Sequence, residues 1–305
     1  MRTSRRALLG ASVLATASAC TASPKRTTVG SPASSAAAFP TTASAPPASG
    51  AQPPSHTSTP APTPSAPTVP TRETIVARFA GRSPAWFALQ GEGIVSTTSA
   101  PGICLTLDAC GGPGGSGVDE ALLSHLLDQR IPFTAFLNSR WIEANPHDTQ
   151  RLAQAAAAGN AEIGNHGTAH KPLSVTGAAA YEIPGTASVG EVYDEIMGCQ
   201  QRLQQVVGVT ARWFRPGTAH WDDVSVAIAA ELGLRPAGFS INGDGGATFA
   251  QRTVTSEISR AGAGDVVIAH LNQPRAATGA GIMQALPSMI TNGATFLTLS
   301  QAANA

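Results

Sequence analysis

Ile103-Cys104-Leu105-Thr106-Leu107-Asp108 is a short, β-like, almost wholly apolar run that stops on a carboxylate. The pattern recurs downstream: residues 132–137, 161–165, 212–215, 236–241, 266–270 and 294–299 read as further strands. Longer amphipathic stretches at 118–129, 148–158, 189–207, 223–232, 253–260 and 281–291 read as helices between them. Alternating strands and helices mean a parallel sheet with helical crossovers. About seven such strands, with no point where the order reverses, predict an α/β fold: a distorted, closed or nearly closed (β/α) barrel. An open doubly wound sheet is the alternative.

The polar residues that packing does not explain fall at one place in each unit, at or just past the C-terminal end of a strand. Asp108 ends the first, His166 follows the third, and Arg215 ends the fourth. Asn242 and Asp244 follow the fifth, and His270 ends the sixth. In a parallel barrel those ends line one mouth, where active sites are built. Within Asn165-His166-Gly167-Thr168-Ala169-His170, the two histidines four apart share one face if the segment coils into a turn. Neutral imidazoles placed so suit zinc and similar divalent ions. An isolated pair of this spacing is more often two ordinary surface histidines, so the weight comes from its company.

That company resembles a known family. Ile163-Gly164-Asn165-His166-Gly167-Thr168-Ala169-His170 looks like the metal motif of the polysaccharide deacetylases (NodB-homology, carbohydrate esterase family four). Leu105-Thr106-Leu107-Asp108 is similar to their first motif and Phe214-Arg215-Pro216-Gly217 to their third. Gly264-Asp265-Val266-Val267-Ile268-Ala269-His270 is similar to their fifth. The motifs keep the family's order and span residues 103–300. The resemblance implies a distorted (β/α) barrel and metal-dependent removal of acetyl groups, N-acetyl first, from a cell-wall or extracellular polysaccharide. It implies that His166 and His170 hold a divalent metal, zinc first, and that Asp108 is the general base toward the attacking water. His270 would be the general acid. Arg215 would keep Asp108 ionised and oriented, and Asp244 would orient His270. The oxyanion would be held by the metal and by a backbone N–H near Gly217 or Thr218.

Two departures from the family pattern matter. Its first motif carries two adjacent aspartates, base then metal ligand; here the pair is Asp108-Ala109, and alanine ligates nothing. Asp108 itself, Cys110 or water could fill the gap, and the sequence favours contact of Asp108 with the metal, directly or through water. The third motif lacks its usual aromatic residue. His220 and Trp221 are candidates for the sugar groove beside Thr218, with the Trp221 ring stacking on a pyranose or packing in the core. Residues 174–188 read as an extra loop near the metal motif, and Gly111-Gly112-Pro113-Gly114-Gly115 as a tight loop over the mouth. Cys104 reads as a small buried hydrophobe. Pairing of Cys110 with Cys199 would tie the first loop to the long helix and remove Cys110 as a ligand.

Ahead of this domain (72–305) the chain has a different character. Arg2, Arg5 and Arg6 precede an apolar run from Ala7 to Ala17, too short to span a bilayer and suited to a signal peptide over 1–20, of the twin-arginine type. Ala17-Ser18-Ala19-Cys20 reads as a lipobox with Cys20 lipidated, or as an ordinary cleavage site. Residues 21–71 are nearly all Ser, Thr, Ala and Pro, a disordered tether that reaches roughly 160 Å at most at 3.3 Å per residue. The expected setting is extracytoplasmic, with the membrane met through a lipid anchor only. Formal net charge is zero and charged residues make up 12% of the chain, which supplies no basic face for a nucleic-acid partner. A competing reading is a catalytically degenerate carbohydrate-binding lipoprotein on the same fold; a third is a metal-dependent amidase of a non-sugar substrate.

Overall fold

The structure, a computed structural model, describes residues 69–305. Cys20, His56 and all but the end of the expected tether lie outside the described residues. The chain runs α1 (Arg72–Phe79), β1 (Phe87–Ala88), β2 (Cys104–Ala109), α2 (Glu120–Asp128), β3 (Phe133–Leu137), α3 (Ser139–Ala144), α4 (Pro146–Ala157), β4 (Ala161–Asn165) and α5 (Val189–Val207). It continues through β5 (Trp213–Phe214), β6 (Trp221–Asp222), α6 (Asp223–Glu231), β7 (Arg235–Pro236), β8 (Ile241–Asn242), α7 (Gln251–Ser259), β9 (Val266–His270), α8 (Thr278–Thr291) and α9 (Leu299–Ala303).

Seven strands form one sheet in the order β7-β5-β4-β3-β2-β9-β8, and every neighbouring pair is parallel. β1 and β6 form a separate antiparallel ribbon. The sheet curls. Ala237 N still donates to Phe214 O at one edge (2.8 Å), yet Ser240 N already donates to Val266 O at the other (2.9 Å). Three peptide steps span at most about 11 Å, so the two edges approach each other across a narrow seam. The result is the barrel-like arrangement the strand pattern predicts, not an open doubly wound sheet.

Two expected strands are corrected. Residues 236–241 are not one strand, because their backbone groups are used across the seam. Gly238 N donates to Val95 O, and Gly238 O accepts from Arg215 Nη2. Residues 294–299 supply only a bridge, Ile103 to Phe296, before the chain turns into α9, whose cap is Thr298. The six expected helices are present with small shifts at their ends. The short α1, α3 and α9 carried too few residues for a clear periodic signal.

Alternation along β2 divides its side chains between two layers. Leu105, Leu107 and Ala109 join Phe133, Ala135 and Leu137 in the main core under the helices, all at most 1% exposed. Each large side chain buried this way contributes about 1.5–3 kcal/mol. Cys104, Thr106 and Asp108 have the other parity and face the barrel interior. The guanidinium of Arg215 lies there, 4.3 Å from the centre of the Phe136 ring.

Candidate active site

Strand register sets the positions of the site residues. Asp108 is level with His270 across β2 and β9. Asn165 is level with Phe214 across β4 and β5, so His166 and Arg215, one residue on, emerge side by side. Residues distant in sequence thus meet at the C-terminal end of the sheet.

The turn carrying the two histidines is held from three directions. Asn138 Nδ2 donates to His166 O (3.0 Å) and Gly167 O (2.7 Å). Asn165 Nδ2 donates to Ile196 O (2.9 Å), and its Oδ1 accepts from Gly167 N (2.9 Å). The Glu195 carboxylate accepts from Ala169 N (2.9 Å) and Lys171 N (3.1 Å). Gly167 has a φ of +78°, and a Cβ there would lie 2.4 Å from Glu195 Oε1. Gly217 is needed for a different reason: a Cβ there would lie 2.1 Å from His170 O, so the Arg215–Gly217 segment and the histidine turn touch backbone to backbone. His170, itself at φ +59°, is thereby brought back toward His166, with ring centroids 5.0 Å apart and edge-on. Sequence reading did not single out Asn138 or Glu195. The second left a signal, because it lies on the buried stripe of α5 with Val192, Ile196, Cys199 and Leu203.

His166 is 1% exposed, and its Nδ1 donates to Arg215 O at 2.8 Å. That bond fixes the tautomer and leaves Nε2 with its lone pair toward the mouth. Cys110 Sγ lies 3.6 Å from this Nε2. One donor atom each from Cys110, His166 and His170 fall within 4.8 Å of one another. A sulfur and two imidazoles are the donor chemistry of zinc-type sites, so the residues fit the divalent metal that the sequence motif implies. Asp108 stands beside this group: Oδ2 is 3.7 Å from His166 Nε2, while Oδ1 accepts from Arg215 Nη1 at 2.8 Å. Arg215 also donates to Thr106 Oγ1 and Gly238 O, each at 2.8 Å.

Burial pushes the Asp108 carboxyl up, but the Arg215 guanidinium, His166 and His270 outweigh it and hold its pKa below the usual carboxylate value. Burial likewise opposes ionisation of Cys110, yet His170, with hydrogen bonds from the surrounding histidines, brings the thiol well below its usual pKa. On the far side His270 Nδ1 donates to the Asp244 carboxylate at 3.0 and 3.1 Å. Asp244 also accepts from His270 N (2.8 Å) and Thr278 Oγ1 (2.9 Å). Burial disfavours the charged ring; the Asp244 hydrogen bond, with Cys110 nearby, raises the His270 pKa well above its usual value.

Asp108, His170, Thr218 and His270 line a cavity of about 440 Å³ whose outer wall includes Tyr181, Phe239 and Phe249. Cys110, His170 and His270 also face an adjoining cleft of about 380 Å³ bounded by the glycine loop and Arg140. Of the groove candidates, Thr218 lines the cavity, Trp221 takes the core alternative and His220 stands behind Tyr181. Trp221 is 0% exposed and packs edge-on against Phe214, 5.6 Å between centroids, so it is core and has no face for a sugar. His220 is half-buried, stacks on Phe87 (5.4 Å), and supports Tyr181 edge-on (5.4 Å). Tyr181, in the loop after the histidine motif and 72% exposed, is the aromatic residue of the cavity wall most open to solvent. The Cys110–Cys199 pairing is also corrected: Cys104, Cys110 and Cys199 are all free thiols, and Cys199 Sγ donates to Leu137 O at 3.2 Å.

Residues 96–237 match the polysaccharide deacetylase family. The matched segment runs from before β2 through β7, so it contains Asp108, His166, His170 and Arg215 and ends ahead of Asp244 and His270. An uncharacterized protein of Bacillus subtilis (strain 168), YlxY, is 26% identical over 112 residues, which are 37% of this chain and 30% of that protein. The chain therefore spans under a third of that relative's length. Among solved structures, BA3943 of Bacillus anthracis, described as a CE4 family pseudoenzyme, is 18% identical with a TM-score of 0.55. That match covers 68% of this chain and 67% of that one. The Bc1960 peptidoglycan N-acetylglucosamine deacetylase is 20% identical with a TM-score of 0.56, covering 69% and 92%. At these identities the likeness is one of fold, and it extends the deacetylase fold over about two thirds of the chain.

Proposed function

We propose that this protein is an exported, metal-dependent hydrolase that removes acetyl groups, N-acetyl first, from peptidoglycan or another acetylated cell-wall or extracellular polysaccharide. The observation that carries the reading is the pairing of two opposed acid–base units across one cavity. Asp108 is held ionised by Arg215, and His270 is held protonated by Asp244, with Cys110, His166 and His170 beside them. A module that only binds sugar requires no such pairing.

Asp108, ionised at neutral pH, takes the proton of the attacking water through Oδ2, the oxygen not bound to Arg215. Arg215 fixes the direction of that carboxylate through bonds to Thr106 and Gly238, which leave it no freedom to turn. His270 carries a proton at neutral pH; its Nδ1 is committed to Asp244, so Nε2 delivers the proton to the departing amine or alcohol. His166 and His170 would hold the metal, which would polarise the acetyl carbonyl and acidify the nucleophilic water. Thr218, at φ +66° on the cavity wall, lies beside the backbone suited to receive the developing oxyanion. Tyr181 offers an exposed ring to a pyranose. The expected twin-arginine signal, lipidated Cys20 and tether would place this chemistry outside the membrane within reach of the wall, and mass spectrometry of the processed N-terminus tests that part.

The deciding measurement is acetate release by the full chain from N-acetylated wall fragments and acetylated oligosaccharides, with and without chelator and added zinc. Release that is lost with chelator and in His166→Ala is the expected result. The second reading, a carbohydrate-binding lipoprotein without turnover, is favoured by Ala109 and by the likeness to a structure described as a pseudoenzyme. Sugar binding by a folded, metal-loaded chain with no release from any substrate would establish it instead.

A further inference from the structure

We infer that Cys110 is the third protein ligand of the metal, giving a site of one thiolate and two imidazoles with Asp108 left outside it as the base. The inference rests on the metal-dependent reading above and deepens it.

The argument starts from the parity of β2. Asp108 faces the barrel interior and Ala109 the helix layer, where it is fully buried among Leu137 and Trp141. Position 109 therefore contributes no donor to the mouth. The chain then leaves the strand and turns at Gly111, at φ +69°, where a Cβ would lie 2.5 Å from Trp141 N. The turn is closed by Gly111 N donating to Gly115 O (2.9 Å) and Gly115 N to Gly112 O (3.0 Å). A turn pressed this closely onto α3 fixes Cys110 over the mouth, with Sγ 3.6 Å from the free nitrogen of His166 and within 4.8 Å of the donor atom of His170.

Competing uses of the thiol are closed, and Asp108 is anchored on one side, with Oδ2 left free beside His166 for the proton of the water. Among the described residues Cys110 has no disulfide partner: Cys104 is buried in β2, and Cys199 is buried in α5 with its S–H on Leu137 O. Asp108 has one oxygen on Arg215 and is held by a guanidinium that also bonds Thr106 and Gly238. The Nδ1–H of His166 on Arg215 O orients the second ligand as metal-bound histidines require. Three protein ligands with a further position open is the arrangement of a catalytic rather than a structural zinc site. A sulfur ligand also sets the metal preference, toward Zn²⁺ and Co²⁺ and away from Mg²⁺ and Mn²⁺.

The test reads the ligand directly and does not depend on turnover. The full chain, kept reduced and stripped of metal, is titrated with Co²⁺ while near-ultraviolet absorption is followed, and Zn²⁺ affinity is measured by competition with a chelating dye. A thiolate-to-cobalt charge-transfer band that saturates at one equivalent is expected. Cys110→Ser should abolish the band and weaken Zn²⁺ binding by about a hundredfold or more, since even the loss of an outer-shell partner costs 10–100-fold. Cys110→Asp, which restores an oxygen ligand, should bind Co²⁺ without the band, and this distinguishes a lost ligand from a misfolded chain. Cobalt bound in a His166-dependent way with no charge-transfer band, or a band that survives Cys110→Ser, would overturn the ligand assignment and leave the proposed hydrolase standing. Metal binding that is indifferent to His166→Ala would overturn both.

Discussion

Replacing Arg215 by methionine isolates what the buried ion pair does. Methionine keeps much of the arginine stem's volume but removes three hydrogen bonds, to Asp108, Thr106 and Gly238, and with them the guanidinium that faces that carboxylate and lies over Phe136. Removing one partner of a buried pair costs about 3–5 kcal/mol at neutral pH, because a desolvated charge is left behind. The pH dependence follows from the direction of the Asp108 shift. In the native protein its pKa lies below the unfolded value of about 3.9, so its contribution is present above that value and is lost only as pH falls through the lower folded pKa. Without Arg215, burial is opposed only by His166 and His270, and the folded pKa rises. Once it exceeds about 3.9, destabilisation grows by about 1.4 kcal/mol per pH unit up to the new folded pKa. Urea unfolding with chelator present, at about pH 4.5 and about pH 7.5, should therefore show the larger deficit at the higher pH. Arg215→Met with Asp108→Asn should recover about 1–3 kcal/mol of it, the cost of a buried group without its partner. Equal deficits at the two pH values, or a double variant as unstable as the single one, would refute the ion-pair reasoning.

Other consequences are as direct. Trp221→Ala should cost about 3–5 kcal/mol of unfolding free energy, as expected for a fully buried ring. Tyr181→Ala should stay within about 0.5 kcal/mol in the same denaturation assay while raising KM for an oligosaccharide. Gly167→Ala forces a Cβ against Glu195 at a left-handed φ; a loss of about 1–3 kcal/mol is expected, together with weaker metal retention in dialysis. Iodoacetamide applied to the native, metal-free chain should label Cys110 well ahead of Cys104 and Cys199, read by peptide mass. Burial pushes those two thiols up to about 11 and about 12, and bound zinc should protect Cys110.

Much of the fold was legible because β2, β3 and β9 are nearly continuous apolar runs, and α5 carries a clean periodic stripe bounded by Ser188 as N-cap and Gly208 as a left-handed C-cap. What was not legible came from backbone groups satisfied at a distance. Residues 236–241 look like one strand in isolation; only the carbonyl of Gly238, taken by Arg215, and its N–H, given to Val95, show why pairing breaks there. Trp221 stayed open between groove and core for a related reason. It follows a motif that lines the cavity, but it belongs to the short ribbon with β1, whose pairing turns the ring inward. Tyr181 was hidden because nothing in residues 174–188 is periodic. Its place at the cavity depends on a tight turn with positive φ at both Tyr181 and Glu182, closed by the Ala180–Ile183 bridge.

The substitution at position 109 is where sequence and structure inform each other most. Read as a motif, Asp108-Ala109 is a site that has lost a ligand. Read as a strand, positions 108 and 110 have the same parity and 109 the opposite one, so a donor two residues after the base is better placed to share its side of the sheet than a donor one residue after it. Gly111 then bends the chain so that the parity argument survives the end of the strand. On this view Ala109 is a core residue next to Leu137, and the thiol at 110 stands on the side of the mouth with His166 and His170. The same physics sets a limit on restoring the family pattern. Ala109→Asp would put a carboxylate among apolar side chains, at a cost of several kcal/mol unless the strand end refolds toward the metal. Urea unfolding of Ala109→Asp with and without zinc would separate the two: a deficit that zinc does not relieve supports the core assignment, and full rescue by zinc would show that position 109 can reach the mouth after all.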